Sequence, residues 1–373
     1  MNRALIFLSL FVAAALPARA QQKEPPKIDD MKVASAIGKG ITWLKERKAD
    51  VGEGRECRLE LLLLTLVHGG VKRSDDVFLE LLNRMLAEPL NHTYRVALQA
   101  MVLEEVQRVK HQPRIHQCAQ FLVDNQGPNG QWSYGEPTNY PQEVPKPKEE
   151  VASGGRVRNF GETETEKPKV TQRVPVKKNR DGKNGDNSNS QYAALGLRAC
   201  HDSGILIPKE VVTLAQKWWR EQQADPDKSE GAYAGAGWGY GGKGEKVWGS
   251  MTVGAVGSLA ICDYILGENW KADAALRKGA EWIGAHFSVT ENPKHENPSA
   301  WHYYYLYGLE RAGMLYDTPK FGKIDWYAEG AKFLLDNQKP DGSWGDMNNT
   351  CFAILFLKRA TRPLIATEAG GKK

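Results

Sequence analysis

Proton transfer is the reaction chemistry that the sequence supports most directly, through three side chains. His302 opens an apolar helical segment, Asp346 precedes the last such segment, and Glu230 precedes a glycine-rich stretch. Carboxylates and imidazoles can act as general acids or bases when they face the same cavity as a substrate. Asp346, His302 and Glu230 are therefore the candidate catalytic residues.

Aromatic side chains concentrate around two of the helical segments and form a second candidate site. Aromatic walls suit sugars, isoprenoids or cationic intermediates. The alternative is that the rings fill the protein core, because consecutive aromatic residues cannot all face one side of a helix. The candidate ligand-binding residues are Trp238, Tyr240, Trp248, Trp301, His302 and Tyr305.

The composition argues against several classes of protein. The net charge is only +5, and Lys and Arg are scattered or lie in one low-complexity stretch, so we predict no nucleic-acid partner. The five cysteines show no CxxC pair and no zinc-like spacing, and the apolar surroundings of several predict buried free thiols. No segment after the N-terminus approaches the roughly 20 apolar residues of a membrane span, so we predict no stable span.

The N-terminus has the pattern of a secretory signal. A short basic start is followed by an apolar run over residues 4–16 and by Ala18-Arg19-Ala20, a small-x-small cleavage site. We predict a signal peptide over residues 1–20 and export of the mature protein to the periplasm or the extracellular space. Residues 21–30 then form a flexible lead, and residues 363–373 form a flexible tail.

A repeated helical architecture must position the candidate residues. Residues 121–132 read FLVDNQGPNGQW, and residues 333–344 read FLLDNQKPDGSW. Apolar residues recur with helical spacing, in segments that are alternately amphipathic and more uniformly apolar. Because one repeat unit cannot bury its own apolar face, we predict an all-α fold of about six stacked helical hairpins over residues 31–362. Six hairpins can close into a ring, with the apolar helices inside and the amphipathic helices outside.

Hydroxyl side chains predict where the second helix of several hairpins begins. Ser190, Ser250 and Thr350 stand at the start of more uniformly apolar segments. Their hydroxyl groups can accept hydrogen bonds from the N–H groups of a first helical turn, which have no partner within the helix. We therefore expect these residues to act as N-caps.

Residues 134–188 depart from the helical pattern. They are rich in Pro, Gly, Lys and Glu and poor in apolar residues. Such a composition cannot bury enough apolar surface to order itself. We predict a long low-complexity insertion between the two helices of the third hairpin.

The repeated Gln and Trp residues resemble the QW motif of the terpenoid cyclase and protein prenyltransferase superfamily. That motif has an aromatic–Leu pair, then Gln, then Gly-x-Trp, and the resemblance covers most of residues 31–362. It implies an α/α toroid of two concentric helix layers. It also implies that the N-terminal ends of the inner helices face one mouth, where their partial positive charge would favour anionic groups. The matching residues are Phe121, Leu122, Gln126, Gly130 and Trp132 in one copy, and Phe333, Leu334, Gln338, Gly342 and Trp344 in the other.

The reaction motifs of that superfamily are missing from this sequence. There is no Asp-x-Asp-Asp segment of the squalene–hopene type and no Asp-Cys-Thr-Ala-Glu segment of the oxidosqualene type. A prenyltransferase-like zinc set would require Asp346, Cys351 and His302, but the expected Asp-x-Cys pair is replaced by Ser-Met-Thr at residues 250–252. We therefore expect no metal and no cofactor.

These observations predict an exported, non-catalytic binding or scaffold protein. Its partner, a protein, a lipid or a glycan, would bind at the mouth of the toroid. The alternative is an enzyme that acts on an isoprenoid lipid, like a cyclase, or on a polysaccharide, like a lyase, in the central cavity. Two titratable groups within ~6 Å of each other in a closed aromatic pocket would favour the enzyme. A cavity filled by aromatic rings would favour the scaffold.

Overall fold

The protein is almost entirely helical. The computed structural model describes residues 26–52, 57–138, 185–226 and 235–364. Within these ranges, the strands are the two-residue β1 (Lys320–Phe321) and β2 (Ile324–Asp325), which form one antiparallel pair. The predicted all-α class is therefore confirmed. The predicted signal peptide over residues 1–20 lies outside the described residues.

Twelve α-helices are found in the described parts of the chain, and they alternate in character as predicted. Most odd-numbered helices bury one face, whereas the even-numbered helices are buried over most of their length. The odd-numbered helices are α1 (Asp30–Glu46), α3 (Asp76–Ala87), α5 (Gln112–Asp124), α7 (Lys209–Glu221), α9 (Ala274–Ala285) and α11 (Trp326–Asp336). The even-numbered helices are α2 (Leu59–His68), α4 (Thr93–Gln107), α6 (Asn187–Asp202), α8 (Gly249–Leu266), α10 (His302–Tyr316) and α12 (Met347–Leu357). Helix α5 is an exception among the odd-numbered helices, because most of its residues are buried.

The even-numbered helices contact one another in sequence. Helix α2 packs on α4, α4 on α6, α6 on α8, α8 on α10 and α10 on α12. Helix α12 also packs on α2, and α1 packs on both α11 and α12. The last hairpin of the chain therefore touches the first.

The expected hydroxyl N-caps are wrong, because the helices begin earlier than predicted. Asp186 caps α6 and Asp346 caps α12, and each accepts a 2.7 Å hydrogen bond from the backbone N–H three residues later. Ser190 and Thr350 lie one turn inside these helices. Ser250 follows the first residue of α8 and accepts from the indole of Trp248.

The Trp residues of the repeats are buried packing groups whose indole and backbone N–H groups both donate hydrogen bonds. The indole Nε1 donates to a carbonyl oxygen of the preceding odd-numbered helix at 2.7 Å for Trp132, 2.8 Å for Trp238 and 2.7 Å for Trp344. Each backbone N–H donates to a hydroxyl group in the following even-numbered helix. These hydroxyl groups belong to Ser190, Thr252 and Thr350, in the same order.

The Gln residues of the repeats join neighbouring hairpins. The side-chain amide of Gln126 donates to the carbonyl oxygen of Val211 in α7 at 2.8 Å, and that of Gln223 donates to Ala275 in α9 at 2.9 Å. Each amide also bonds a carbonyl oxygen of its own following loop. The segment 218–238 is therefore a third copy of the pattern, although Ala236 replaces its glycine.

The motif glycines lie where a side chain would collide with the next hairpin. Gly130 has φ +96°, and a Cβ atom there would lie 2.4 Å from the carbonyl oxygen of Leu214. Gly342 has φ +92°, and its Cβ would lie 2.9 Å from the carbonyl oxygen of Lys39. Both positions thus require glycine for conformation and for close approach.

The irregular segments are predicted to be slightly longer than the structure shows. Helix α6 begins at Asn187, within the predicted 134–188 insertion, and Glu136 N–H donates to the Asn125 side chain at 2.8 Å. Residues 139–184 lie outside the described residues. Leu364 is buried although it belongs to the predicted 363–373 tail.

Two further sequence predictions can be compared with the structure. All five cysteines are buried free thiols. Helix α8 is long and apolar enough to cross a membrane, but most of its residues are buried by other helices, which is typical of a core helix.

Candidate functional site

The two candidate catalytic residues that the structure describes, Asp346 and His302, bond different partners and not each other. Asp346 is exposed, and both of its carboxylate oxygens are engaged by Asn349 at the start of α12, so its role is that of an N-cap. His302 is half-buried and its Nε2 bonds the carbonyl oxygen of Val289 at 2.9 Å. Burial lowers the pKa of His302. Glu230 lies outside the described residues, so no acid–base pair is formed by the candidates that the structure describes.

Two of the candidate ligand-binding residues are core residues. Trp238 is 0% exposed and occupies the third Gln–Trp copy, where its ring packs against Gly279 of α9. Tyr305 is 1% exposed and lies against Gly249 at the start of α8. Neither ring offers surface to a ligand, so their assignment as contact residues is wrong. Aromatic residues that line a cavity and aromatic residues that pack in the core recur with the same helical spacing, so the sequence does not distinguish them.

The other candidate aromatic residues lie near the N-terminal ends of the even-numbered helices. Tyr240 stacks on Trp248 with ring centroids 6.4 Å apart, and Trp248 meets His295 edge-on at 5.1 Å. Tyr134 lies beside His92 at 5.2 Å and is 59% exposed. We call the surface formed by the first turns of α4, α6, α8 and α10, with the loops bonded to them, the N-terminal face.

Trp301 is the most exposed of these candidates. Its side chain is 71% exposed, and its φ of +57° lies in the left-handed region, which is strained for a bulky residue. It precedes α10, whose first residue is His302. A strained residue that also exposes a large aromatic ring contributes nothing evident to stability, so it is a candidate for contact with a partner.

On the N-terminal face, the ends of α4, α6 and α8 are already satisfied, which corrects the expectation that they attract anions. The first backbone N–H of α4 donates to the carbonyl oxygen of Tyr134 at 2.7 Å, and that of α6 donates to Tyr240 at 2.8 Å. The first N–H of α8 donates to Pro293 at 2.8 Å, and Asn292 caps the next one. These donors are not free to bind a ligand.

The space between the even-numbered helices is filled by aromatic rings and one guanidinium group. The rings of Tyr94 and Tyr192 lie 4.4 Å apart, and Tyr192 stacks on Tyr304 at 6.2 Å. Phe352 contacts Tyr304 and Tyr307, at 5.8 Å from each. We call the set Tyr94, Tyr192, Tyr304, Tyr307, Arg311 and Phe352 the central cluster.

A group of ionised and ionisable side chains, which the sequence reasoning missed, lies at the opposite ends of the even-numbered helices. Burial and the neighbouring charge of Glu105 raise the pKa of Glu104 to about 8. Asp202 bonds Tyr264 at 3.0 Å and forms an ion pair with Arg198 at 3.4 Å. The signal in the sequence is a set of adjacent charged residues, Glu104-Glu105 and His201-Asp202, at the ends of otherwise apolar helices.

The chain segment after α12 is held over this charged group. Three even-numbered helices bond three consecutive residues of this segment. The contacts are Thr361 N–H to Glu310 of α10 at 2.9 Å, Arg362 to Glu105 of α4 at 2.8 Å, and Pro363 carbonyl to Arg198 of α6 at 3.1 Å. A cavity of about 50 Å³ remains between this segment and the helices. Space of this size holds water molecules rather than a substrate.

The described residues contain no group of three or more His, Cys, Asp or Glu side chains placed to hold a metal ion. In particular, Asp346 is an exposed cap and His302 bonds a backbone carbonyl, whereas Cys351 is buried. Comparison with known proteins gives no further guide, because no family model and no curated protein matches this chain.

Proposed function

We propose that this chain is an exported α/α toroid that acts as a non-catalytic binding or scaffold protein. Its partner would bind on the N-terminal face, around Tyr134, Tyr240 and Trp301. The closed ring, the absence of turnover, the exposed aromatic face and export are each supported by a separate observation. The central cluster is the observation that carries it.

The closed ring is supported by the contacts between the two ends of the domain. Gln338 donates to the carbonyl oxygen of Ala36 at 2.8 Å. Gln126 and Gln223 make the same type of hydrogen bond between successive hairpins. The indole of Trp43 also donates to Asp341 at 3.1 Å. A ring of six hairpins would have no exposed repeat end to cap.

The absence of turnover is supported by the filled interior. Sites for small molecules are commonly clefts of roughly 300–1,000 Å³ that bury most of the ligand. The central cluster instead places packed rings where an isoprenoid or a glycan would have to enter, with centroid separations from 4.4 to 6.2 Å. The buried carboxylates at the C-terminal ends are paired with Arg and Tyr side chains and bond the closing segment. Their arrangement is that of a structural network.

The binding face is supported by exposure and strain at the same end of the helices. Tyr134 is 59% exposed, Tyr240 is 39% exposed and Trp301 is 71% exposed. Large aromatic rings contribute much of the binding energy at protein surfaces because they bury wide areas with few rotatable bonds. Export is supported by the pattern of the first twenty residues alone.

The first experiment measures turnover. The purified protein is incubated with squalene and with acidic polysaccharides, and products are sought by mass spectrometry. We expect none. Turnover that is lost in a folded Glu104→Gln or His302→Ala variant would overturn the proposal and favour the enzyme.

The second experiment locates the binding face. Cosedimentation with insoluble polysaccharide and with lipid vesicles measures binding, and crosslinking to proteins of the exported fraction measures protein contacts. We expect Trp301→Ala and Tyr134→Ala to lower the binding that is detected. Leu206→Ala is the matched control, since Leu206 is 46% exposed but follows the C-terminal end of α6. Equal losses in all three variants would contradict the assignment of the face.

A further inference from the structure

The central cluster contains a buried positive charge whose compensation is incomplete. Arg311 is 2% exposed, and its Nη2 donates to the side-chain oxygen of Gln191 at 3.0 Å. Its guanidinium carbon lies 5.0 Å from the ring centroid of Tyr192 and 4.5 Å from that of Tyr307. Arginine remains protonated in proteins, so the charge cannot be removed by loss of a proton.

No carboxylate within the described residues forms an ion pair with Arg311. The adjacent Glu310 is directed elsewhere, because its two carboxylate oxygens accept from the backbone N–H and the hydroxyl group of Thr361 at 2.9 and 2.8 Å. Cation–π contacts offset part of the desolvation cost of a buried cation. Burying such a charge without an anion nevertheless remains unfavourable.

Although the Tyr192 side chain also stabilises the Arg311 charge, two hydrogen-bond donors beside this charge have no acceptor in hydrogen-bond geometry. They are Nη1 of Arg311 and Nε2 of Gln191, both buried. The Gln191 amide cannot turn away freely, because it lies flat against α8, where a Cβ atom at Gly254 would come within 2.4 Å of its oxygen. Buried donors without partners are rare in folded proteins.

Both side chains line the same small cavity between α6, α8 and α10. Its volume is about 10 Å³, and Gly254, Gly257 and Ser258 form its wall on the side of α8. The Ser258 hydroxyl group donates to the carbonyl oxygen of Gly254 at 2.7 Å. A space of this size admits one small particle, either a water molecule or, with a slight outward shift of the lining side chains, a monatomic anion.

We infer that Arg311 and Gln191 form a binding site for a single monatomic anion of the size of chloride. The two donors without partners and the uncompensated guanidinium charge all favour an anion. The small volume excludes sulfate, phosphate and carboxylate ligands. A water molecule could satisfy the donors but would leave the charge uncompensated. This site is independent of the proposed binding face, since it lies inside the helical ring.

Thermal unfolding of the full chain tests the site. The unfolding midpoint is measured in sodium chloride and in sodium gluconate at equal ionic strength. For a roughly thirtyfold rise in chloride we expect the midpoint to rise by about 2–4 °C, with no matching rise in gluconate. Equal midpoints in chloride and gluconate would overturn the inference.

A carboxylate supplied by the protein is the sharper test. Gln191→Glu keeps the acceptor for Arg311 and adds a negative charge of nearly the same shape. We expect this variant to be more stable than the native protein in gluconate and to lose its response to chloride. Ser188→Ala, in the same helix but away from the cavity, should keep the response.

Crystallography identifies the occupant directly. Diffraction at a long wavelength should show an anomalous peak between Arg311 and Gln191 in crystals grown with chloride. Density without anomalous signal would identify water and would refute the inference, as would a Gln191→Glu variant that responds to chloride as the native protein does.

Discussion

The side-chain amide of Gln338 donates to the carbonyl oxygen of Ala36 at 2.8 Å, across a separation of 302 residues in sequence. The same amide donates to Gly342 in its own loop, also at 2.8 Å. Gln126 and Gln223 make equivalent pairs of bonds to Val211 and Ala275 in the hairpins that follow them. The contact that joins successive hairpins is thus used once more between the last hairpin and the first.

Removing the Gln338 amide should destabilise the protein as much as removing the equivalent amide between two successive hairpins. Gln338→Met keeps the length of the side chain but leaves two carbonyl oxygens without their donor. We expect a loss of about 1–3 kcal/mol in the free energy of unfolding, measured with urea, and a similar loss for Gln126→Met. Lys332→Met, at an exposed position of α11, should have little effect.

The comparison between the two Gln variants tests the closed ring. If Gln126→Met destabilises the protein and Gln338→Met does not, the ends of the domain are not joined in solution. The midpoint and the denaturant slope should both be compared, because opening of the ring would also change the surface exposed on unfolding.

The indole N–H groups of the three repeat Trp residues should contribute similar stability. Trp344→Phe keeps an aromatic ring but removes the 2.7 Å bond to the carbonyl oxygen of Leu334. We expect a loss of about 1–3 kcal/mol from the unpaired carbonyl group and the smaller ring. Trp132→Phe and Trp238→Phe should give losses of the same size in urea unfolding. A Trp238→Phe variant of native stability would revive the assignment of Trp238 to a ligand site.

The helical hairpins were predictable because each depends on local periodicity. Amphipathic and apolar segments alternate along the chain, and the Phe-Leu, Gln and Trp residues repeat. These two patterns predict which helices pair. The start of a helix was harder to place. Asp346 and Asp186 are caps, but sequence alone does not distinguish a capping carboxylate from a catalytic one, so Asp346 was predicted to be a catalytic candidate.

The candidate sites were less predictable because they depend on which side of a helix faces which neighbour. Trp238 and Tyr305 are buried while Trp301 is exposed, although all three belong to aromatic-rich stretches. The Arg362 side chain bonds Glu105 across a separation of 257 residues, and no local pattern relates the two positions.

The capping role of Asp346 can be compared with that of Asp186, which occupies the equivalent position before α6. Asp346→Ala removes the acceptor of the Asn349 N–H, and Asp186→Ala removes that of Asn189. We expect each to cost about 1 kcal/mol, since loss of an N-cap typically costs that much, whereas Asp346→Asn should cost little. Urea unfolding provides the measurement. A much larger effect of Asp346→Asn on partner binding than on stability would indicate a functional carboxylate instead.

The stability of the protein should fall as pH rises from about 6.5 to 8, because of Glu104. Burial and the charge of Glu105 raise the pKa of Glu104 to about 8, while Arg362 and Arg108 oppose the shift and Asp202 adds to it. Over this range Glu104 is protonated in the folded protein and ionised in the unfolded chain. The folded state therefore binds more protons, and raising the pH favours unfolding.

The pH window is chosen so that other shifted groups contribute least. Burial lowers the pKa of His111 to about 4 and also lowers that of His302, so their effects on stability have the opposite sign. These effects fade over roughly one pH unit above the ordinary histidine value of about 6.5, and they therefore reduce the decline at the start of the window. Burial raises the pKa of Asp263 to about 6, which places its contribution below the window. Burial raises the pKa of the Cys118, Cys200 and Cys262 thiols, whose contributions lie mainly above the ordinary cysteine value of about 8.5.

Glu104→Gln should abolish the decline, because the amide resembles the protonated carboxyl group and does not ionise. For the native protein we expect a decrease of roughly 1–2 kcal/mol across the window, measured by urea unfolding at closely spaced pH values. Asp263→Asn is the matched control, since it removes another buried carboxyl group whose titration lies below the window. A decline that persists in Glu104→Gln and disappears in Asp263→Asn would assign the buried proton to Asp263 and contradict the prediction.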